Sequence, residues 1–155
     1  MRKAVLGVLL TLLLISMLTL ALNIQPVKAS ETIYIRADGS VDPLDASIHQ
    51  VGNVYTFTDN IYAYSIVIEK DNVVIDGNGH VLNGTVSGTR GFDISYRNNV
   101  TVKNVKIARF NDGIYVYHSN ICKILKNTLI DCWYAIEIMH SSNNNAVFSN
   151  FVDNS

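Results

Sequence analysis

A six-residue pattern recurs every 22 residues in the second half of this chain, and it constrains the fold more than any other feature. The segment GFDISY at 91–96 returns as GIYVYH at 113–118 and as AIEIMH at 135–140. Apolar residues occupy equivalent positions in all three copies. Because a unit of this length cannot bury its own apolar face, neighbouring units must stack on each other. The repeat therefore predicts a stacked array.

The units of this array are predicted to be built from β-strands. From residue 65 onward, short apolar runs at 66–68, 73–75 and 81–82 are separated by glycine and asparagine, which are turn residues. No stretch after residue 30 keeps a helical period. Three short strands per unit, with no leucine pattern, favour an all-β right-handed parallel β-helix of about 22–23 residues per coil over a leucine-rich horseshoe.

The chain divides into three parts. Residues 1–29 are typical of a cleaved export signal. They have a basic start, an apolar run over 4–22 and small residues before Ser30. An uncleaved membrane anchor through residues 4–22 is the alternative, because about 20 apolar residues span a bilayer. Residues 30–64 lack the repeat and are predicted to form an N-terminal β cap with a hairpin at Gly52-Asn53. Residues 65–155 are predicted to form the coils, on a secreted or cell-surface protein.

The coils are expected to be C-terminally incomplete. The repeat stops within a unit at Ser155, so the last coil should expose its apolar interior. The alternatives are a truncated product, a fragment of a longer protein, and an end covered by further β-helix coils or by another chain.

The charge of the chain argues against nucleic acid as a partner. Residues 30–155 carry nine Lys or Arg and thirteen Asp or Glu, an acidic balance that nucleic-acid-binding domains do not show. Bases nevertheless concentrate between residues 90 and 126, seven against two acids. A solvated surface is the default interpretation, and a basic flank for an anionic glycan is the functional alternative.

The two cysteines, Cys122 and Cys132, are too few for a disulfide-rich scaffold. Alternation around Ile124 and Ile130 places both among the inward-facing residues. Buried packing is therefore favoured over a bridge between them, which an exported chain would also permit.

Three segments resemble a known family: VVIDGNGH at 73–80, NVTVKNVKI at 99–107 and GIYV at 113–116. They are similar to the NosD-like right-handed β-helix repeats of secreted bacterial and archaeal surface proteins, in the pectate-lyase-like superfamily. The segment IYIRADGS at 33–40 is similar to the lead-in of some archaeal members. The resemblance covers roughly residues 65–155 and implies the fold.

The same resemblance implies two functions. One is a copper-handling accessory protein of the NosD kind. The other is the N-terminal part of a carbohydrate-active enzyme, a polysaccharide lyase or glycoside hydrolase, with its active site on coils beyond Ser155. The paired-aspartate, Gly-His-Gly and Arg-Ile-Lys strings of polygalacturonases do not occur in this chain. No catalytic residue can therefore be carried over.

Strand alternation sorts the repeat into inward and outward columns. The predicted interior columns are Phe92 with Ile114 and Ile136, and Ile94 with Val116 and Ile138.

Four outward residues of the same repeat are candidates for ligand binding: Asp93, Tyr115, Tyr117 and Glu137. Aromatic rings pack on the CH surfaces of sugars, and carboxylates accept hydroxyl hydrogens. Two coils separate Asp93 from Glu137, about 9.6 Å at the strand spacing, which overlaps the wide end of the separation in inverting glycosidases. Simple outward polarity is the default interpretation, and glycan contact ranks above catalysis.

Tyr96, His118 and His140 share a register at the end of the same strands. Neighbouring imidazoles can hold copper or zinc, but two nitrogens need further ligands and no third ligand is evident. Turn residues that bond to the backbone are the favoured interpretation, and copper at His118 and His140 is the alternative.

Asparagine also repeats. Asn104, Asn127 and Asn150 lie 23 residues apart and are predicted to form a structural ladder at a turn. Asn83-Gly84-Thr85 and Asn99-Val100-Thr101 match the acceptor pattern for N-linked glycans on an exported chain.

Taken together, these features predict an extracellular binding or structural module that contacts polysaccharide or glycosylated cell-surface material. No catalytic motif is found in this stretch.

Overall fold

The computed structural model describes residues 31–85 and 89–154, and the predicted export signal at 1–29 lies outside these described residues. The described residues are built from short strands joined by turns. In chain order the strands are β1 (Glu31–Ile35), β2 (Val41–Asp42), β3 (Ile48–Val51), β4 (Val54–Phe57), β5 (Ile61–Tyr62), β6 (Tyr64–Ile68), β7 (Val74–Asp76), β8 (Val81–Asn83), β9 (Arg90–Ser95), β10 (Thr101–Lys103), β11 (Lys106–Ala108), β12 (Asp112–Tyr117), β13 (Lys123–Leu125), β14 (Thr128–Ile130), β15 (Tyr134–Met139), β16 (Ala146–Phe148) and β17 (Phe151–Asp153).

Three sheets form a β-solenoid. Sheet A has the strand order β15-β12-β9-β6-β1-β2, sheet B the order β16-β13-β10-β7-β4-β3, and sheet C the order β17-β14-β11-β8-β5. From the second coil onward, every coil places one strand in each sheet, and strands of successive coils pair in parallel. In the first coil, β2 and β3 are additional antiparallel strands at the edges of sheets A and B. The expected all-β parallel β-helix is confirmed. Across residues 31–85 and 89–154, no helix is long and apolar enough to cross a membrane.

The pairing register in sheet A confirms the two interior columns. Phe92, Ile94, Ile114 and Val116 are completely buried, and burial of a large apolar side chain contributes about 1.5–3 kcal/mol. The columns contain Phe92, Ile114 and Ile136, and Ile94, Val116 and Ile138.

The interior of the last described coil is partly exposed. Ile138, Val147 and Val152 continue buried columns of the preceding coil, yet they are 40%, 45% and 49% exposed. No described strand pairs with the outer edges of β15, β16 and β17.

Residues 31–64 form a first coil, whereas the coils were predicted to begin at residue 65. β1, β4 and β5 pair in parallel with β6, β7 and β8, so this region continues the solenoid. The expected hairpin is present as the antiparallel pair β3 and β4. The buried Tyr55 hydroxyl donates a hydrogen bond of 2.7 Å to the Gly39 carbonyl, which ties the hairpin to the turn after β1.

A structural ladder stands at the turn between sheets B and C. Asn150 Oδ1 accepts hydrogen bonds from the Asn127 backbone N–H at 2.9 Å and from Asn127 Nδ2 at 3.1 Å. Asn127 Oδ1 accepts the Val105 backbone N–H at 3.1 Å, and its Nδ2 donates to the Val102 carbonyl at 3.1 Å. The completely enclosed Asn127 therefore links three coils.

Asn104 is not a member of this ladder, which corrects the expected set of three. Lys103 pairs with Leu125, 22 residues later, so Asn104 is level with Lys126 instead of Asn127. The spacing becomes 23 only in the following coil, where the turn before β16 holds one more residue. Asn104 adopts a φ of 55° and donates from Nδ2 to Asp76 at 3.0 Å.

Cys122 and Cys132 are buried, and neither is in a disulfide. The Sγ atoms contact the carbonyl oxygens of Asn120 and Ile130, each at 3.5 Å. Burial raises the pKa of both thiols. Buried packing, rather than a bridge, is therefore confirmed.

We predict that Asn127→Ala lowers the free energy of unfolding by about 1–3 kcal/mol, because the Val105 N–H and the Val102 carbonyl lose their partner in a buried place. Urea denaturation measures this change. The matched control is Asn98→Ala on the exposed surface, for which we expect a change within about 0.5 kcal/mol. Equal losses in the two variants would contradict a special role for the ladder.

We predict that both thiols react slowly in the folded protein. Thiolates are the reactive species, and a raised pKa together with burial withholds them from reagent. With Ellman's reagent at about pH 8, we expect the folded chain to react at least about tenfold more slowly than the same chain in denaturant. A rapidly reacting thiol under native conditions would be the contrary result.

Candidate functional site

The outer face of sheet A carries the predicted ligand-binding column. Asp93, Tyr115 and Glu137 are directly level with each other on β9, β12 and β15. Tyr117 is level with Ser95 and Met139 in the neighbouring column. The three strands are parallel and in register, so the four predicted binding residues lie on one face.

Arg90 contacts three side chains of this face, and sequence reasoning missed it. Its Nη1 donates to Asp93 at 2.6 Å, and its Nε donates to Asp112 at 3.4 Å. Its guanidinium carbon lies 3.5 Å from the centre of the Tyr115 ring. The signal available in the sequence is that Arg90 precedes Asp112 by one 22-residue repeat and therefore stacks beside it.

Tyr115 is consequently not an open platform for a sugar. Arg90 covers one face of the ring, and the Tyr117 ring stacks at 5.9 Å between centroids, with 10° between the planes. Tyr115 is only 8% exposed. Burial raises the pKa of its hydroxyl, against the opposing effect of the Arg90 charge. The role of Tyr115 on this face is to pack between Arg90 and Tyr117.

The carboxylates around Arg90 keep it charged. Burial disfavours the guanidinium cation, but the hydrogen bond to Asp93 and the charge of Asp93 raise the pKa of Arg90 above its ordinary value. Asp93 also accepts a hydrogen bond from the Ser95 hydroxyl. Among the described residues, Glu137 forms no ion pair. Glu137 is therefore the acid of this face that is available to a ligand.

An accessible aromatic cluster lies at the end of the same strands, and it consists of Tyr96, Tyr117, His118 and His140. The Tyr117 ring is edge-on to Tyr96 at 5.4 Å, to His118 at 4.4 Å and to His140 at 5.1 Å. Tyr96 stacks on His118 at 5.4 Å, and His118 stacks on His140 at 5.8 Å. Tyr96 is 61% exposed, so ring surface is available to a ligand here.

The backbone explains why these rings gather. Tyr96, His118 and His140 have φ values of 59°, 47° and 46°, which is the left-handed region that His adopts more readily than most residues. Each therefore occupies the same turn after its strand. The next position in the turn is fixed by Ser119, whose buried hydroxyl donates to the Ile94 carbonyl at 2.8 Å and accepts the Arg97 N–H at 2.8 Å.

The predicted histidine pair is close in space. The His118 and His140 rings are stacked, with 5.8 Å between their centroids and 21° between their planes. In the part of the chain that the structure describes, no group of three His, Cys, Asp or Glu is arranged to hold a metal ion. Copper at this pair stays a prediction.

The two predicted glycan acceptors differ in accessibility. Asn83 is half-buried at the end of β8. Asn99 is exposed in a turn with a φ of 55°, and its Nδ2 donates to Asn72 Oδ1 at 2.9 Å. An attached glycan at Asn99 would take one of the two amide hydrogens and leave one N–H on Nδ2.

Lysines of the basic segment lie away from sheet A. Lys103 and Lys123 are on sheet B, Lys106 is on sheet C, and Lys126 is in the turn between them. Lys103 is paired with Asp76 at 3.0 Å. These four lysines of the predicted basic flank therefore border sheets B and C, whereas Arg90 is on sheet A and Arg97 follows Tyr96 of the aromatic cluster.

This geometry defines the class: a β-solenoid whose interior is built by repetition and whose outer face carries an ordered array of polar and aromatic side chains. Residues 45–155 match the family model described as the right-handed beta helix region. The chain belongs to this right-handed β-helix family, so the expected handedness is also confirmed. No curated protein and no solved structure matches the chain.

Proposed function

We propose that this chain is an extracellular binding module that contacts polysaccharide or glycosylated cell-surface material through the outer face of sheet A. The observation that carries the proposal is the aromatic cluster of Tyr96, Tyr117, His118 and His140 beside the Glu137 carboxylate. The family match supports a structural or binding module of this fold. The identity of the ligand as a glycan goes beyond what the family match supports.

The chemistry of the surface supports a sugar as the ligand. Rings with exposed faces pack on sugar CH groups, and a nearby carboxylate accepts hydrogen bonds from hydroxyls. The rings are held by mutual packing and by left-handed turns, so little side-chain freedom would be lost on binding. A rigid, repeating surface suits an extended, repeating ligand.

We predict that Tyr117→Ala weakens glycan binding by at least about tenfold, because Tyr117 contacts the other three rings of the cluster and its loss is worth about 1.4 kcal/mol or more. Affinity electrophoresis in immobilised polysaccharides, followed by calorimetry with oligosaccharides, measures the change.

The matched control is Tyr62→Ala, which removes an exposed tyrosine from sheet C in the first coil. It should bind like the wild type. If both variants bind equally well and both remain folded by circular dichroism, the aromatic cluster is not the binding surface.

A second candidate function is copper handling, which the short distance of 5.8 Å between the His118 and His140 rings favours. If the pair binds copper, the double variant His118→Ala with His140→Ala should bind Cu²⁺ at least about tenfold more weakly than the wild type. Calorimetric titration with Cu²⁺ measures this, and His80→Ala with His49→Ala is the control. If the wild type and both double variants bind Cu²⁺ equally well, His118 and His140 do not form a copper site.

A further inference from the structure

We propose that the glycan taken by the outer face of sheet A is uncharged, and that this face rejects uronate and sulfated polysaccharides. The inference rests on the proposed function and adds a substrate class to it. It follows from how charge is distributed over the described surface.

Carboxylates outnumber cations on this face. Asp93, Asp112 and Glu137 lie on the three neighbouring strands β9, β12 and β15, and Arg90 is the cation among them. Because Arg90 pairs with both aspartates, the charge of Glu137 is not balanced by it. An anionic sugar placed here would meet a net negative surface.

Arg90 is already paired with two carboxylates. Its Nη1 is engaged by Asp93 and its Nε by Asp112, and its guanidinium carbon lies 3.5 Å from the centre of the Tyr115 ring. A uronate or sulfate that approached its remaining N–H groups would lie beside both carboxylates. Charge recognition through Arg90 is therefore unfavourable.

The aromatic cluster is within electrostatic range of these acids. Asp93 and Glu137 are diagonal neighbours of Tyr117 in the sheet, about 8 Å away at ordinary strand spacing and rise. The screening length is about 8 Å at physiological salt and longer at low salt. A negative group stacked near Tyr117 would therefore be repelled.

The arginine that follows Tyr96 does not reverse this balance. Arg97 donates from Nη1 to the Glu69 carbonyl at 2.7 Å and from Nε to the Ser95 carbonyl at 3.1 Å. Its guanidinium also lies 3.8 Å from Asp71. The exposed lysines that would favour an anionic glycan, Lys106, Lys123 and Lys126, belong to sheets B and C and the turn between them.

The test compares neutral and anionic hexasaccharides of similar length. Wild-type protein is titrated with cellohexaose, xylohexaose, N-acetylchitohexaose and hexagalacturonate by calorimetry, in about 50 mM salt and near pH 8. We expect at least one neutral sugar to bind at least about tenfold more tightly than hexagalacturonate. Raising the salt to about 500 mM should narrow this ratio, since screening weakens the repulsion.

Two variants locate the source of the discrimination. Glu137→Gln removes the unbalanced charge, so the ratio of the affinity for the neutral sugar to the affinity for hexagalacturonate should narrow at least about twofold, whatever the change in affinity for the neutral sugar. The control Lys123→Ala with Lys126→Ala should leave both affinities unchanged, because those lysines lie on other surfaces.

The outcomes separate the two proposals. If hexagalacturonate binds as tightly as the neutral sugars or more tightly, glycan binding stands and the uncharged substrate class is overturned. The uncharged substrate class is also overturned if the variant Lys123→Ala with Lys126→Ala loses glycan binding and Glu137→Gln does not. If no sugar binds to the folded wild-type protein, the proposed function itself is overturned.

Discussion

The parallel hydrogen bonding between successive coils is the constraint on which the rest of the structure depends. Each strand of the inner coils satisfies its backbone N–H and C=O groups with the coil above and the coil below, and no buried strand can leave those groups unpaired without a cost of a few kcal/mol. Pairing at this spacing forces equivalent residues into columns. At Gly113 it brings the next coil so close that an added Cβ would lie 2.5 Å from the Ala135 carbonyl oxygen.

Columns are the reason why so much of the fold could be predicted from the sequence. A 22-residue period and strand alternation together determine which residues stack and which face inward, and the register of Phe92, Ile114 and Ile136 follows from those two facts. The same two facts predict that Asp93, Tyr115 and Glu137 are level with each other on the outer face. Periodicity failed at Asn104, because a spacing of 23 holds only where a turn gains a residue.

The outer face was harder to predict, for a different physical reason. Alternation says that a side chain points outward, but it does not say which outward side chains bind to each other. Arg90 pairs with Asp93 on its own strand and with Asp112 on the neighbouring strand, and its guanidinium covers the Tyr115 ring. The accessible aromatic surface is therefore formed by Tyr96, Tyr117 and the two histidines. Left-handed turns bring these residues together, and the repeat had already indicated the shared register of Tyr96, His118 and His140.

At those turns, the conformation of the backbone does not depend on which side chain is present. Position 96 of the first copy is Tyr, and the equivalent positions 118 and 140 are His, yet the backbone makes the same left-handed bend in each coil. The buried Ser119 hydroxyl, rather than the ring before it, anchors the middle turn to the core. Side chains at this position can thus be exchanged without disturbing the interior, so new recognition properties can arise one coil at a time on an unchanged scaffold.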